Sequence, residues 1–516
     1  MIKIKSKNLV IIAYLYLIIP ILIFFMTWLK LYIGITMSTL LVIAFYKLIK
    51  KDYSNDDRFI EINKKTFFYI TIVLLIFVYL TGQGGFFFQY SDNSTRNAML
   101  RDLIYFKWPI IYPETGNGLV YYFMHWIIPA FIAKLFINTS YAFLIGRIAL
   151  FIWTFIGVFI VILLINQYLK VSRTKLIWIV VIVFIGWGGI NIIGGIVSNT
   201  FSLIDFDLNT YGWWTNFTIN NQPFGYMYRS NMDQLCSTYN QTIAPWIAIV
   251  ILLLNKQKIR NFAFLGLCIL PYAPLPFLGL FIIMFSLGMR YVYIEGICRK
   301  NYTKVLKEVF SCQNILAVFT IFVVFLLFFS CNVAYSGGVE GASTGLYVPL
   351  KEYGAIRLIV LFSFYVLSFG LYMYFILEDN KNNFMYIIIG ISLVIIPFFR
   401  IGKLADFCWN VSVPAYFCLM ILVTEFLLDK IRYNREINLK FVGLIICLSL
   451  SFLNPISQAC FGIKIAIIEK NVFLMVDNTV TFSDKNIGDE GTEAMDLHNY
   501  LVPQPYNKPF YKYLAK

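Results

Sequence analysis

The chain has 516 residues, of which 59% are hydrophobic, 18% are aromatic and only 13% are charged. Since about a quarter of the residues in a soluble domain are charged, this composition excludes an ordinary soluble protein. Apolar runs of about 20 residues recur along the chain without period-two alternation. The sequence therefore predicts an all-α fold, a polytopic transmembrane helical bundle, rather than a β-barrel.

The formal net charge is +15 at pH 7, and a basic chain can be a nucleic-acid-binding chain. Most of the Lys and Arg residues, however, lie in short loops between apolar runs, where positive charge sets membrane orientation. We therefore expect no nucleic-acid partner. The nine cysteines are scattered and form no CxxC pair, so neither a disulfide framework nor a zinc site is indicated.

The order of the apolar runs predicts about thirteen spans. Lys3, Lys5 and Lys7 predict a cytosolic N-terminus, and the odd number of spans then predicts an extracytoplasmic C-terminus. The predicted spans lie near 8–28, 31–46, 66–82, 141–168, 175–197, 242–255, two short ones within 261–290, 313–331, 356–377, 385–399, 412–428 and 440–455.

The apolar segment 119–137 conflicts with this topology if it crosses the membrane. The basic loop Lys170–Lys175 would then lie outside, against the rule that positive loops stay in the cytosol. The segment also carries His125 and Lys134, which suit an interface better than a clean span. We therefore predict a re-entrant or interface-lying helix here, within the first large outer loop.

Three regions follow from this topology. Residues 1–65 form an N-terminal transmembrane hairpin with a cytosolic loop. Residues 66–455 form the membrane core, with outer loops at 83–140, 198–240, 332–355 and 400–411. Residues 456–516 form an extracytoplasmic tail. No internal repeat is visible in the sequence, which counts against transporters built from repeated halves.

Candidate chemistry lies on the predicted outer face. Asp92, Arg96, Arg101 and Asp102 follow the third span directly, and Arg400, Lys403 and Asp406 lie in a later outer loop. A carboxylate there can act as a general base or help to hold a cation, while Arg and Lys can hold a phosphate. Two simpler interpretations stay open: Asp92 and Arg96 have the spacing of a local helical ion pair, and His125 has the apolar context of a structural histidine.

Several short motifs follow one another in this region. They are Asp92, Arg96-Asn-x-x-Leu-Arg-Asp102, Trp108-Pro-x-x-Tyr112, Leu119-Val-Tyr-Tyr122 and Pro129-Ala-x-x-x-Lys134. Together they resemble the GT-C superfamily of multi-spanning glycosyltransferases, which use polyprenyl-phosphate-linked sugars. The resemblance implies that Asp92 deprotonates the acceptor or supports a metal, that 118–136 is an aromatic juxtamembrane helix, and that Arg147 belongs to the site.

Two later stretches are similar to a bacterial branch of such proteins. They are Tyr239-Asn-Gln-x-x-x-Pro-Trp246 and Ala405-Asp-Phe-x-x-x-x-Ser-Val-Pro-Ala415. That branch often has an Arg at the position of Asn410, so this chain departs from the pattern of the branch there. The resemblance covers roughly 66–429 and leaves out the first hairpin and the tail.

The expected function is transfer of a sugar from a polyprenyl-phosphate carrier to an extracytoplasmic glycan, lipid or protein acceptor, at the cytoplasmic membrane. Asp92 is the candidate catalytic base. The candidates for binding substrate and carrier are Arg96, Arg101, Asp102, His125, Arg147, Arg400, Lys403 and Asp406. A divalent cation is left open as a cofactor and is not required. The alternatives are a transporter or flippase of lipid-linked glycans and a non-catalytic scaffold of an envelope-polysaccharide complex.

Overall fold

The computed structural model describes residues 1–54, 58–90, 92–190, 193, 226–256, 258–332, 358–401, 406–433, 438–468, 481–484 and 500–516. Between 201 and 223, and at 345–346, it describes only the backbone of short strands. Lys403, one of the candidate residues, lies outside the described residues, as does most of the predicted outer loop 198–240.

Helices dominate the described part of the chain. They are α1 (Ser6–Trp28), α2 (Leu31–Asp52), α3 (Lys64–Leu80), α4 (Asn93–Tyr105), α5 (Met124–Lys134), α6 (Ala142–Tyr168), α7 (Thr174–Gly186), α8 (Asn231–Thr238), α9 (Ile243–Leu254), α10 (Phe262–Leu267), α11 (Pro274–Tyr291), α12 (Tyr302–Val309), α13 (Cys312–Ala317), α14 (Val323–Phe329), α15 (Leu371–Asn380), α16 (Phe384–Ile395), α17 (Asp406–Val411), α18 (Val413–Arg432), α19 (Leu439–Ser451) and α20 (Leu453–Ile463).

The described strands are short and form two-stranded antiparallel pairs. The pairs are β1 (Ile2–Lys5) with β2 (Phe59–Ile62), β3 (Gly118–Leu119) with β10 (Leu501–Val502), β4 (Phe201–Ser202) with β5 (Asp207–Leu208), β6 (Thr218–Ile219) with β7 (Gln222–Pro223), and β8 (Gly345–Leu346) with β9 (Phe399–Arg400).

Seven helical segments in the described part are long and apolar enough to cross a membrane. They are Ser6–Trp28, Leu31–Asp52, Ala142–Tyr168, Pro274–Cys298, Tyr302–Phe329, Leu358–Asn380 and Leu439–Ala466. An eighth results if α8 and α9, which meet at a bend of 100°, count as one broken span. This is the architecture of an all-α, multi-pass membrane protein. The predicted count of about thirteen spans is not confirmed.

Some predicted spans are shorter in the structure. α7 has 13 described residues and α16 has 12, so at 1.5 Å per residue each covers about 20 Å or less of a core about 30 Å thick. The run 261–290 does break at its proline cluster, but α10 has only six residues, so it does not form two short spans. The last helical segment continues to Ala466, beyond the predicted tail boundary at 456.

The loops predicted to be cytosolic lie together at one end of the bundle, which we call the basic end. Lys3 pairs with Glu61 at 2.8 Å, and Thr66 shares a hydrogen bond with Thr174 at 3.0 Å. Arg260 binds Asp52 at 2.9 Å. Farther along the chain, Arg432 donates to the Leu169 carbonyl at 2.6 Å. Loops from five parts of the sequence therefore share one end.

The other end, which we call the distal end, carries α4, β3 and the C-terminal segment 500–516. Leu29, in the turn between α1 and α2, bridges to Ala515, and β10 pairs with β3. Phe510 is fully buried against Phe24 and Phe328. The two chain termini therefore lie at opposite ends of α1.

α5 packs antiparallel to the first half of α6. At its start, His125 shares a hydrogen bond with Thr154 at 3.0 Å, and at its end Ala133 lies beside Gly146. Nine residues of α5, 125–133, thus lie against nine residues of α6, 146–154, and α6 has 27 residues. The chain leaves the basic end in α3 and returns to it in α6, and α5, with 11 residues, covers only part of that length.

Burial divides the helices into inner and outer ones. Both α1 and α2 are apolar, but 61% of the most apolar 18-residue stretch of α1 is buried and only 22% of that of α2. Exposed apolar side chains on α2 such as Ile35 and Tyr46 suit a lipid-facing surface. α1 is the central helix, and its Tyr16 stacks on Trp153 of α6 at 4.0 Å.

Candidate functional site

The first distal loop begins with a glycine-rich turn after α3. Gly82, Gly84 and Gly85 have φ values of 77°, 72° and 69°, a region that L side chains rarely adopt. This turn presents its carbonyl groups to Arg147, whose Nε donates to Gly84 at 2.7 Å and whose guanidinium donates to Gly85 at 2.9 Å. Arg147 thus fixes the loop to α6.

Asp92 stands at the N-terminus of α4 but does not cap it. Its side chain makes no capping hydrogen bond and is 57% exposed. The nearest described cation is Arg96, whose guanidinium lies 3.8 Å from the Asp92 carboxylate. The predicted i, i+4 ion pair is therefore present.

Arg96 is held against a group of tyrosines. Its side chain is only 12% exposed, and its guanidinium lies 5.9 Å from the centre of the Tyr239 ring. Tyr121 stacks on Tyr122 at 3.8 Å and on Tyr500 at 4.4 Å, and Arg96 interacts electrostatically with Tyr121 and Tyr500. We call Tyr121, Tyr122, Tyr239 and Tyr500 the tyrosine cluster. It forms an aromatic wall directly behind the Asp92–Arg96 pair.

His125 lies under this wall rather than on the surface. It is 1% exposed, its ring packs edge-on against Tyr239 at 5.3 Å, and its Nε2 bonds with Thr154. Burial lowers the pKa of His125 to about 3, so the ring is neutral at physiological pH. A neutral, enclosed imidazole supports Tyr239 and does not present a positive charge to a carrier phosphate.

Asp102 lies nearer the C-terminal end of α4 and is completely buried. It accepts hydrogen bonds from the Thr481 hydroxyl and the Phe482 amide, both at 2.8 Å, and from the Tyr112 hydroxyl at 3.1 Å. The Arg101 guanidinium, on a side chain 37% exposed, lies 3.5 Å away. Asp102 therefore neighbours Arg101, but its hydrogen bonds with Thr481 and Phe482 fasten the C-terminal part of the chain to α4.

The remaining candidates lie in separate elements. Arg400 belongs to β9, opposite Gly345, and Asp406 is the first residue of α17, where its carbonyl accepts from Asn410 at 2.9 Å. The contacts above therefore group Asp92 with Arg96, and Arg101 with Asp102. Asn410 lies near the end of α17, and its side-chain amide donates back to the first residue of that helix.

A second polar region is buried behind the first. Ser230 and Asp233 form a capping box at the start of α8, with the Ser230 hydroxyl 2.6 Å from the carboxylate. Arg229 packs over the Trp409 ring at 3.7 Å and donates to Ser237. Gln83 and Asn93 of the first loop donate to carbonyl groups of α8, at 2.6 and 3.1 Å. α8 is therefore fixed to the loop that carries Asp92.

Within the described residues, no group of three or more His, Cys, Asp or Glu side chains is arranged to hold a metal ion. Asp92 stands as a single carboxylate beside a cation. The comparisons with protein-family models, with curated proteins and with solved structures found no match.

Sequence reasoning did not single out the tyrosine cluster as part of the site. Tyr121, Tyr122 and Tyr239 were visible only as parts of motifs, and Tyr500 lies in the tail, about 400 residues after Asp92. No local pattern links residues so far apart. The signal that could have pointed to the cluster is the density of tyrosines at 121, 122 and 239 beside polar residues in otherwise apolar context.

Proposed function

We propose that this protein is a membrane glycosyltransferase that moves a sugar from a polyprenyl-phosphate carrier to a hydroxyl-bearing acceptor at the distal end of the bundle. In this proposal the distal end faces the outside of the cytoplasmic membrane and the acceptor is a glycan, lipid or protein of the cell envelope. α5 is the re-entrant helix of the first outer loop.

One observation carries the proposal. Asp92 is an exposed carboxylate that is not used to cap its helix, and it stands beside Arg96, which packs on the tyrosine cluster. A base can take the proton of an acceptor hydroxyl, and a guanidinium can hold the phosphate of a donor. Aromatic faces suit the apolar face of a sugar ring or a prenyl chain.

The residues have distinct roles in the proposed reaction. Asp92 takes the proton from the acceptor hydroxyl, and the acceptor oxygen attacks the anomeric carbon of the donor sugar. The bond between that carbon and the phosphate oxygen breaks, and the carrier phosphate leaves with the bonding electrons. Arg96 balances the charge that develops on this phosphate, as a guanidinium can with its planar set of donors.

The test is the variant Asp92→Asn, which keeps the size of the side chain and removes its capacity to accept a proton. Loss of a general base costs about 10²–10⁴-fold in turnover. Polyprenyl-linked sugars are extracted from producing cells, radiolabelled and supplied to membranes that contain the variant. The matched control is Glu114→Gln, an exposed carboxylate in the same loop. Equal transfer by wild type and Asp92→Asn, at equal protein level, rejects the proposal.

A second candidate function is transport of the same lipid-linked glycan. It is favoured by the bend of 100° between α8 and α9, because broken helices with buried polar residues line the binding sites of many transporters. Transport would leave the sugar attached to its carrier in the opposite leaflet. Transfer would release the carrier phosphate, so the lipid product separates the two functions.

A further inference from the structure

Two adjoining cavities open at the basic end, far from Asp92. The larger one has a volume of about 470 Å³ and lies between the ends of α2, α6 and α9, with Lys51, Asp52, Arg58, Gln167 and Lys258 in its lining. The smaller one has a volume of about 290 Å³, and its lining includes Asn166 and Lys170. Arg58 and Gln167 line both cavities, so the two form one continuous depression.

The carboxylates of the described lining are already neutralised. The side chain of Asp52 is 1% exposed and receives Arg260 at 2.9 Å, and Asn261 donates to it at 2.6 Å. Glu61 pairs with Lys3 at 2.8 Å. The described lining thus carries four basic side chains, Lys51, Arg58, Lys170 and Lys258, against these two acids, so its net formal charge is positive even though Lys258 lies 3.8 Å from Asp52.

The floor of the depression also offers hydrogen-bond acceptors. Asn166 is 1% exposed, and its amide nitrogen donates to the Ile162 carbonyl at 2.9 Å. The side-chain oxygens of Asn166 and Gln167 are buried without a hydrogen-bond partner among the described residues. Such oxygens require a donor, and a ligand hydroxyl can supply one.

The depression lies where α1 begins and where α2 and α6 end, at the level at which these helices would leave the bilayer. Basic pockets between transmembrane helices at this level suit the head groups of anionic lipids. Cations at the rim and acceptors at the floor together match a phosphate joined to hydroxyl groups.

We propose that this depression binds the head group of an anionic glycerophospholipid, through a phosphodiester at Lys51 and Lys170 and through hydroxyls at Asn166 and Gln167. The site would serve as a lipid anchor at the basic end. It is independent of the function proposed for Asp92, and either proposal can fail alone.

The experiment measures binding of phosphatidylglycerol to the purified full chain in neutral detergent, by native mass spectrometry across a lipid titration. The test variant is Lys51→Gln/Lys170→Gln, which removes one exposed cation from each cavity. A basic residue near an anionic lipid surface contributes about 1 kcal/mol, so two contribute about 30-fold in affinity. The matched control is Lys64→Gln/Lys65→Gln, which removes the same charge at the same end but outside both linings.

We expect the test variant to lose about 30-fold in affinity for phosphatidylglycerol. The control should lose far less, because Lys64 and Lys65 line neither cavity. The affinity for phosphatidylcholine should be the same for the wild type and both double variants. An equal loss in both double variants would show general charge attraction and would overturn the proposal. Binding of glycerol 3-phosphate alone, with no binding of the lipid, would also overturn it and would assign the depression to a free phosphate ester.

Discussion

Asp102 shows how one residue can be mistaken for a surface ligand when its partners are distant in sequence. Its carboxylate is fully buried and is held by Tyr112, Thr481 and Phe482. Burial raises the pKa of Asp102 from the ordinary 3.8 to about 6, although the hydrogen bonds to Phe482, Thr481 and Tyr112 act in the opposite direction. The folded chain therefore binds this proton more tightly than the unfolded chain.

This shift predicts a pH dependence with a definite sign. The contribution of Asp102 to stability is most favourable below pH 4 and falls as the pH rises to about 6, by about 3 kcal/mol in total. Asp102→Asn removes the titration and retains an oxygen that can accept from Phe482. Thermal unfolding in detergent should show the stability of wild type falling relative to Asp102→Asn between pH 4 and pH 6. Parallel profiles over that range would contradict the assignment.

Residues close in sequence were predictable, whereas distant partners were not. The spacing of Asp92 and Arg96 predicted their ion pair, since residues four apart share a helix side. Two partners of Asp102, Thr481 and Phe482, lie about 380 residues away in the sequence. No sequence pattern predicts such a contact. His125 was ambiguous for another reason, because an apolar context suits both an interface and an interior.

At the scale of elements, the C-terminal segment 500–516 is part of the bundle rather than an appended tail. β10 pairs with β3, the buried Tyr511 donates to the Leu119 carbonyl at 2.9 Å, and Tyr500 belongs to the tyrosine cluster. This segment holds the strand that leads into α5. Removal of this segment would therefore disturb the proposed site, because Tyr500 would no longer stack on Tyr121.

Phe510→Ala tests this packing. Phe510 is fully buried, with ring centres 4.9 Å from Phe328 and 6.1 Å from Phe24, and truncation of a buried phenylalanine costs about 3–5 kcal/mol. The control is Tyr513→Ala, a truncation three residues away at a side chain that is 58% exposed. We expect a clear fall in the unfolding temperature for Phe510→Ala alone. Similar unfolding temperatures for both variants would show that the segment does not contribute to the core.

At the scale of the whole molecule, the charge pattern predicted which loops share an end. The loops around residues 52, 170, 260 and 432 meet at the basic end, as the rule for positive loops requires. The number of spans was less predictable. Apolar length alone does not distinguish a full crossing from short helices such as α10, or from α5, which packs along only part of α6.

The orientation of this bundle stays a prediction with a direct test. Arg173→Cys should be labelled from the cytosolic side and Lys508→Cys from the outside, because the two positions lie at opposite ends of the bundle. The exposed Cys298 is first replaced by serine so that it does not react. Membrane-impermeant maleimide is applied to intact cells and to inverted vesicles. Labelling of both positions from one side would contradict the fold, and reversal of the two would contradict only the orientation.

The central claim is that Asp92 serves in a transfer reaction, and purified protein in proteoliposomes tests it most directly. A radiolabelled sugar on its polyprenyl-phosphate carrier is supplied together with an envelope extract as acceptor, and the label is followed between the lipid and the acceptor. The account predicts that the label leaves the lipid with wild type, and about 10²–10⁴-fold more slowly with Asp92→Asn. Label that stays on the lipid with wild type, whether it crosses to the other leaflet or not, would contradict the account.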